Sequence, residues 1–494
     1  QYYNPNDPSP YDDTGWTHGP LFNVETVRVE DVAVLEVPMT IEEALVTAPG
    51  GVQNAEGARA FIINYNADNN LTAFRFRHNA LRIEAAERTF EAAGRSFNAG
   101  SFIVSGSADG ADVAAALDAA GRELGFTAYG VATPPEVETH DVALPRVAIL
   151  HTWQTTQTEG WLRLGFDEYG VPYDYISVHD VRDNPRLRDR YDVIVFGPAS
   201  GNALSILEGV QGERPIPWME TEITPNLGAQ ASTPDMRGGL ELSGVLNLDR
   251  FVRTGGTLIT LASSASLPIH FGLAQGVSIR DTENLWAPGG VFRVTVDDRA
   301  SPITYGYGDE LGVYFNRGPV FAVGSGSGRG GRGGPGGPGA GPAGGRGGDG
   351  STTERRSGRG GIGEEDIAQG RSRDLGRAAV EAFRAEQGEE EEEQGFGFGG
   401  GAPTRARTLL RFSAEVQDLL ISGGLDNGGE LANAPALVDV PLGDGHVVMF
   451  SFNPFWRGGT LGSYALVFNA LLHHRNLGGG EAAVAAQDGS GGQG

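Results

Sequence analysis

No cysteine occurs in the 494 residues. That absence excludes disulfides, thiolate nucleophiles and cysteine-based zinc sites together, and it fits either redox compartment. Lysine is missing as well, since all 37 basic residues are arginine. Without lysine there is no Walker phosphate loop, no Schiff base and no lysine general base. Long apolar runs are absent too; no segment approaches the roughly 18 consecutive apolar residues that cross a bilayer. Positive charge is in deficit, with 63 acidic residues against 37 basic ones and a formal net charge of -26. An acidic surface disfavours nucleic acid and anionic lipid, which require neutralisation of phosphate. The first residue is Gln1, not methionine. The expectation is that a signal peptide, a larger N-terminal domain or both lie upstream, and that the protein is secreted to a periplasmic, cell-surface or extracellular location.

What is present reads as α/β. The lead-in over residues 1–24, rich in Asn, Asp and Pro, is expected to be extended. Strands are expected at Phe61–Asn66 and Gly100–Gly106, with helices at Asn69–Leu81, opened by an asparagine cap, and at Asp109–Gly125, ended by glycine. A second set begins at Val142. The runs RVAIL (Arg146–Leu150) and YDVIVFG (Tyr191–Gly197) are wholly apolar, as strands covered on both faces of a parallel sheet must be. Between and after them come a helix (Glu159–Tyr169), a strand (Tyr173–Val178), a helix (Leu242–Gly256) and a strand (Thr257–Ala262). This alternation predicts an open, doubly wound, mostly parallel sheet. Residues 324–403 break the pattern with 28 of the 77 glycines and an acidic block, Glu389–Glu393, and read as a disordered insertion. The GxGxxG match there (Gly326, Gly328, Gly331) has no strand and helix around it and is no dinucleotide site. Order resumes with a hairpin (Ala436–Pro454) turning at Gly-Asp-Gly and a helix (Thr460–His474), before a flexible tail over 479–494.

The strand and tight turn TLITLASSAS, the hairpin ending FSFNP and the helix GTLGSYALVFNALL together resemble the class I glutamine amidotransferase-like fold. That family carries a cysteine nucleophile on the elbow after a central strand and a His-Pro-Glu motif after the hairpin. Carried over, the nucleophile falls at Ser263 or Ser264, the base at Asn453 and the orienting acid at Phe455, with Pro454 retained. A serine needs an adjacent base, and an asparagine amide cannot take its proton. The resemblance therefore implies a degenerate site with no catalytic residues.

A broader resemblance runs through YDDTGWT (Tyr11–Thr17), AGRSFNAGSFIV (Ala93–Val104), Val147–Ile176, GGTLITL (Gly255–Leu261), APGGVFRVTVD (Ala287–Asp297) and Ala436–Leu472. These phrases look like the C-terminal, non-peptidase half of large secreted bacterial zinc carboxypeptidase (carboxypeptidase A-like) proteins. The zinc site of that family needs an HxxE pair, and none of the nine histidines has glutamate three residues on. The resemblance thus implies domains at 25–141 (small α/β) and 142–323 plus 404–478 (amidotransferase-like), with no metal, no cofactor and no enzyme on this chain. A separate carboxypeptidase-domain chain or another protein is the expected partner.

The strand ends of such a sheet are where ligands bind. The candidate crevice residues are His151, Trp153, Glu159, Trp161, Trp456 and Arg457, with Gln154 nearby. Aromatic faces with a few polar groups suit a peptide or sugar. The alternative is that the tryptophans cap the sheet and Glu159 favours its helix N-terminus. His473 and His474 end a helix and are expected to complement its dipole; Asn4, Asn6, Asp7, Asp12 and Asp13 lack calcium-loop spacing. Three readings stay open: an accessory binding or scaffolding region, a structural subunit of a cell-surface or extracellular assembly, and a degenerate hydrolase using Ser264 with His270 nearby. No GxSxG elbow accompanies the last.

Overall fold

The computed structural model describes residues 17–43, 46, 48–105, 111–154, 156–324 and 406–478. The expected insertion over 324–403, apart from Gly324, lies outside the described residues, as do the 479–494 tail and the Asn4–Asp13 cluster. The lead-in differs from its extended expectation at its end, where α1 (His18–Phe22) forms and buries Gly19 and Leu21. Residues 24–43 follow with a single 3₁₀ turn, Val32–Glu36, and almost no burial.

A six-stranded sheet comes next. It is built from β1 (Gly51–Gln53), β2 (Ala60–Ile63), β3 (Ile83–Ala86), β6 (Phe102–Ser105), β7 (Thr127–Val131) and β8 (Thr139–Asp141), after a side hairpin of β4 (Phe90–Ala92) and β5 (Arg95–Phe97). The order is β1-β7-β2-β6-β3-β8. Helices α2 (Asn69–Arg77) and α3 (Ala111–Leu124) accompany it. The cap of α2 is Asp68, not an asparagine: its side chain accepts from the Asn70 N–H at 2.9 Å. A carboxylate there meets the positive end of the helix, so it caps at least as well as the amide expected.

The second sheet has ten strands. In chain order its elements are β9 (Val147–His151), α4 (Thr156–Glu168), β10 (Asp174–Ser177), α5 (Val178–Asp183), α6 (Leu187–Arg190), β11 (Val193–Phe196), α7 (Ala203–Glu208), α8 (Glu241–Arg253), β12 (Thr257–Leu261) and α9 (Ser266–His270). A separate pair, β13 (Val277–Ile279) and β16 (Phe321–Val323), brackets β14 (Trp286–Val296) and β15 (Glu310–Phe315). Then come β17 (Arg407–Phe412), α10 (Val416–Leu419), β18 (Leu420–Asp426), β19 (Pro435–Leu442), β20 (Gly445–Phe450) and α11 (Leu461–Leu472). The order is β10-β9-β11-β12-β20-β19-β17-β14-β15, with β18 on β14; the first five strands are parallel and the rest antiparallel.

The apolar runs explain the parallel half. Successive side chains in a strand alternate faces. Val147, Ile149, Val193, Val195, Ile259, Leu261, Val448 and Phe450 pack with α4 and α11. Their neighbours Ala148, Leu150, Ile194, Phe196, Leu258, Val447 and Met449 pack with α5 to α9. Neither face meets water, so neither tolerates polar alternation. The β19–β20 turn passes through Gly443 at φ 62°, where a Cβ would also press on the Arg253 backbone.

The two sheets are joined through α11. Asn469, fully buried, accepts from the Tyr65 hydroxyl (2.5 Å) and donates to the carbonyls of Ile303 (3.0 Å) and Tyr305 (3.1 Å). His140 on β8 meets His473 through Nε2 and Nδ1 at 2.9 Å, and Glu87 lies 3.1 Å from its other ring nitrogen. The dipole role expected of His473 and His474 fails here. Both are buried, and burial pushes both pKa values down, His473 far down, so the rings stay neutral and work as hydrogen-bond partners.

Candidate functional site

Beyond the carboxyl ends of β11, β12 and β20 lies a cavity of about 50 Å³. It is lined by Thr158 from α4, Pro198 and Ala199 after β11, Ala262 and Ser263 after β12, and Phe452, Asn453 and Trp456 after β20. The end of β15 closes it with Tyr314, Asn316, Arg317 and Gly318. The turn after β12 forms because Leu261 leads directly into a 3₁₀ turn (Ala262–Ala265), with Ala262 in the left-handed region at φ 49°.

The structure separates the two serines of that turn. Ser263 lines the cavity; its hydroxyl donates to the Ala199 carbonyl (2.7 Å) and accepts from the Ala199 N–H (3.1 Å). Ser264 is fully buried and points away, accepting from the Leu261 N–H (2.9 Å) and sharing its proton between the carbonyls of Phe196 and Leu261, each at 3.0 Å. Both hydroxyls are thus held by backbone. His270 ends α9 with its ring 4.8 Å from Phe271.

Asn453 turns its Oδ1 to the Phe455 N–H (3.0 Å), which leaves Nδ2 buried without a partner among the described residues. Phe455 does not face the cavity. It packs among Phe166, Tyr464 and Phe468 in the core beneath α4, where Gly165 makes room for its ring. Trp456 stacks on Tyr314 at 4.6 Å and 9°, and its indole Nε1 is also buried without a partner among the described residues. The Arg457 guanidinium lies over the same indole at 5.0 Å.

The remaining crevice residues form a different group. His151 stacks on Tyr175 (4.0 Å, 14°) and meets Trp153 edge-on at 5.0 Å. Its Nδ1 donates to the Thr152 carbonyl (2.9 Å), which fixes the tautomer and leaves Nε2 without a partner among the described residues; burial pushes its pKa down to about 4. Trp153 donates through Nε1 to His179 Nδ1 at 3.2 Å. Glu159 is buried rather than lining a crevice: Arg163 donates to Oε1 (2.9 Å) and the Tyr175 hydroxyl to Oε2 (2.7 Å). Burial raises its pKa against those two partners. It leans on Gly197, where a Cβ would come within 2.9 Å of Glu159 Cγ. Trp161 is half-buried on α4 and belongs to neither group.

Sequence reasoning therefore brought Ser263, Asn453 and Trp456 to one place and missed Tyr314, Asn316, Arg317 and Gly318. Tyr314 lies near the end of antiparallel strand β15 and the other three follow it, an approach that is invisible locally. The one signal is Gly318, where a Cβ would collide with the Ser451 carbonyl. Among the described residues no cluster of three or more His, Asp or Glu could hold a metal, and no helix is long and apolar enough to cross a membrane.

No protein-family model matches the chain. No curated protein matches it. Among solved structures it is similar to the cytoplasmic protein STM3548 from Salmonella typhimurium (12% identity, 66% of this chain and 98% of that one, TM-score 0.29). It is also similar to the cytoplasmic protein STM1381 from Salmonella typhimurium LT2 (10%, 66% and 98%, TM-score 0.30). A β-galactosidase from Bacillus circulans sp. alkalophilus matches at 10% identity over 68% of this chain and 31% of that one, with TM-score 0.28. Likenesses this weak carry no argument about activity.

Proposed function

We propose that the chain is a non-catalytic accessory region, used for binding or scaffolding, of a secreted zinc carboxypeptidase-like protein. In this reading its larger sheet is a doubly wound, glutamine amidotransferase-like domain that keeps the crevice of that fold without its reaction. The observation that carries the reading is the fate of the elbow: both serine hydroxyls are spent on backbone, and the positions after the hairpin hold Asn453, bonded to the Phe455 N–H, and Phe455 itself, in the core. A nucleophile needs a base within about 3 Å, and among the described residues Ser264 is bonded to backbone groups alone. The test is an assay of the purified chain for ammonia release from glutamine and for C-terminal trimming of peptides, beside a pull-down with a carboxypeptidase-domain chain. The expected result is capture without either activity; chelator-sensitive trimming or glutamine hydrolysis by the chain alone overturns the reading.

The assembly-subunit reading has its own support. Over residues 24–46, ten large apolar side chains are exposed, among them Val27 (77%), Val32 (77%), Leu35 (74%) and Ile41 (87%). Six acidic residues and one arginine share that segment. Exposed apolar surface of this extent marks an interaction site, and a net charge of -26 disfavours pairing with a second copy. The partner it suits is a protein with an apolar groove rimmed by cations. Deleting residues 24–43 should abolish capture of that partner and leave the two sheets folded; unchanged capture removes the segment from the interface.

A further inference from the structure

The segment between α1 and β1 is fixed at its two ends. The Val24 N–H donates to the Gly19 carbonyl and the Gly51 N–H to the Phe126 carbonyl, each at 3.0 Å. Over Glu25–Glu43 the backbone bonds, among the described residues, only around the 3₁₀ turn: Ala33 N–H to Asp31 Oδ1, Val34 N–H to the Asp31 carbonyl and Val37 N–H to the Val34 carbonyl. Val37 leaves that turn extended, at φ -72° and ψ 132°, as suits a residue before proline. Pro38–Glu43 belong to no helix, strand or turn. Here large apolar side chains fall at every second position, Val37, Met39 and Ile41, with Pro38, Thr40 and Glu42 between them. That is the pattern of a strand with one face covered, yet Val37, Met39 and Ile41 are each more than half exposed. The two backbone edges of such a strand differ. Successive residues turn their N–H and C=O groups to opposite edges. Pro38 has no N–H, so the edge it shares with Thr40 and Glu42 is interrupted, while that of Met39 and Ile41 is complete. The charges around the run are acidic, Glu36, Glu42 and Glu43, and Arg28, the one cation of the segment, is paired with Glu30 at 3.3 Å.

We propose that residues 37–43 join the sheet of a partner protein as an antiparallel edge strand, paired through Met39 and Ile41 with a strand that alternates apolar and cationic residues. The proposal rests on the interaction-site reading of residues 24–46 given above and names the chemistry of the partner. In an antiparallel pair, residues directly opposite share a face. Apolar residues of the partner strand therefore meet Met39 and Ile41, and cations on its other face meet Glu42 and the acids that flank the run. Backbone bonds give such strand addition its affinity, and the alternate side chains give it selectivity. Pro38, on the far edge, stops a further strand from adding, which keeps an exposed strand from open-ended stacking.

The test uses fluorescein-labelled acetyl-Lys-Val-Lys-Val-Lys-Val-Lys-amide as the probe, with binding to the full chain read by fluorescence anisotropy. Its comparison peptides carry glutamate for lysine, the same residues out of alternation, N-methyl groups on the valine nitrogens, or N-methyl groups on the lysine backbone nitrogens. The probe should bind, and the glutamate and non-alternating peptides should not. Methylated valines, whose N–H groups face Met39 and Ile41, should weaken binding by at least about tenfold, whereas methylated lysines, facing away, should leave it within about twofold. In the chain, Ile41→Pro should weaken the probe by about tenfold and Thr40→Pro, on the edge already interrupted, by no more than about twofold. Equal binding of the two methylated peptides, equal binding of the non-alternating peptide, binding that survives deletion of residues 24–43, or no binding of the probe each overturn strand addition. None of these outcomes touches the interaction-site reading, which is decided by capture of a partner protein after the same deletion.

Discussion

Asn469 is the point at which removal of one side chain should disconnect the two sheets most cleanly. It has no exposed surface, and its three hydrogen bonds reach Tyr65 after β2 and the Ile303 and Tyr305 carbonyls beside the larger sheet. Asn469→Ala orphans one hydroxyl and two carbonyls in a site with no water access. At about 1–3 kcal/mol per orphaned buried group, and with some relief from carbonyls that retain a second lone pair, the loss should be about 3–5 kcal/mol. Tyr65→Phe breaks only the 2.5 Å bond and leaves the Asn469 Oδ1 unpaired, for about 1–2 kcal/mol. In the Asn469→Ala background the same tyrosine change should cost almost nothing, because its partner is already gone. The assay is urea unfolding of the parent, both single variants and the double variant, followed by tryptophan fluorescence and by circular dichroism. The double variant should match Asn469→Ala, giving a coupling energy of about 1–2 kcal/mol between residues 404 positions apart. Two transitions in Asn469→Ala where the parent shows one would mark the sheets unfolding separately. Strict additivity refutes the reasoning, since it means the hydroxyl and the amide do not stabilise each other.

Helix α4 offers a pair of opposite outcomes: Gly165→Ala drives a methyl within 2.7 Å of the Phe455 ring and should destabilise by about 1–3 kcal/mol, whereas Gly160→Ala meets nothing nearer than 3.9 Å and should stabilise by up to about 1 kcal/mol, both read from thermal melts. For pH dependence, His151 titrates near 4 when folded against an ordinary 6.5, so the unfolded chain binds the proton first and stability falls as pH drops from 6.5 towards 4, by about 3 kcal/mol from this ring. His140 and His473, both lowered by burial, add to the same acid-side loss. His151→Phe, which retains the stack on Tyr175, should flatten the profile of urea midpoints across that window; an unchanged slope removes His151 from the account. A chain cut at a protease site engineered between Gly324 and Ala406 should run as one particle on size exclusion, because β17 pairs with β14 and β20 with β12 across the cut. Separation of the halves without denaturant would show that these pairings do not hold them.

Local chemistry was enough to place most elements of the larger sheet. Val147–His151, Val193–Phe196 and Thr257–Leu261 fall within two residues of their apolar runs, and the hairpin turns at Gly443–Gly445 where glycine and aspartate require it. Apolar continuity is a local signal of burial on both faces, so it survives without knowledge of neighbours. The same pattern placed Ser263 and Asn453 at strand ends, and the cavity joins them. Charge deficit, the lack of lysine and cysteine, and the missing HxxE were likewise complete before any fold was known.

Only the tertiary structure decided which way side chains turn. Ser263 and Ser264 are adjacent and chemically identical, yet one lines the cavity and the other is sealed beneath it, because a 3₁₀ turn rotates successive residues by about a third of a circle. Glu159 looked like a helix-start carboxylate facing a crevice; Tyr175 and Arg163, sixteen and four residues away, turn it inward. His473 and His474 lost their expected charge to burial that α11 acquires only by lying between the two sheets. Arg317, which lines the cavity, follows β15 in the antiparallel half, more than fifty residues from Ser263 on the opposite wall. Composition and periodicity are properties of the chain read in order, whereas a site is an intersection of distant segments, and that intersection exists only once the sheet has formed.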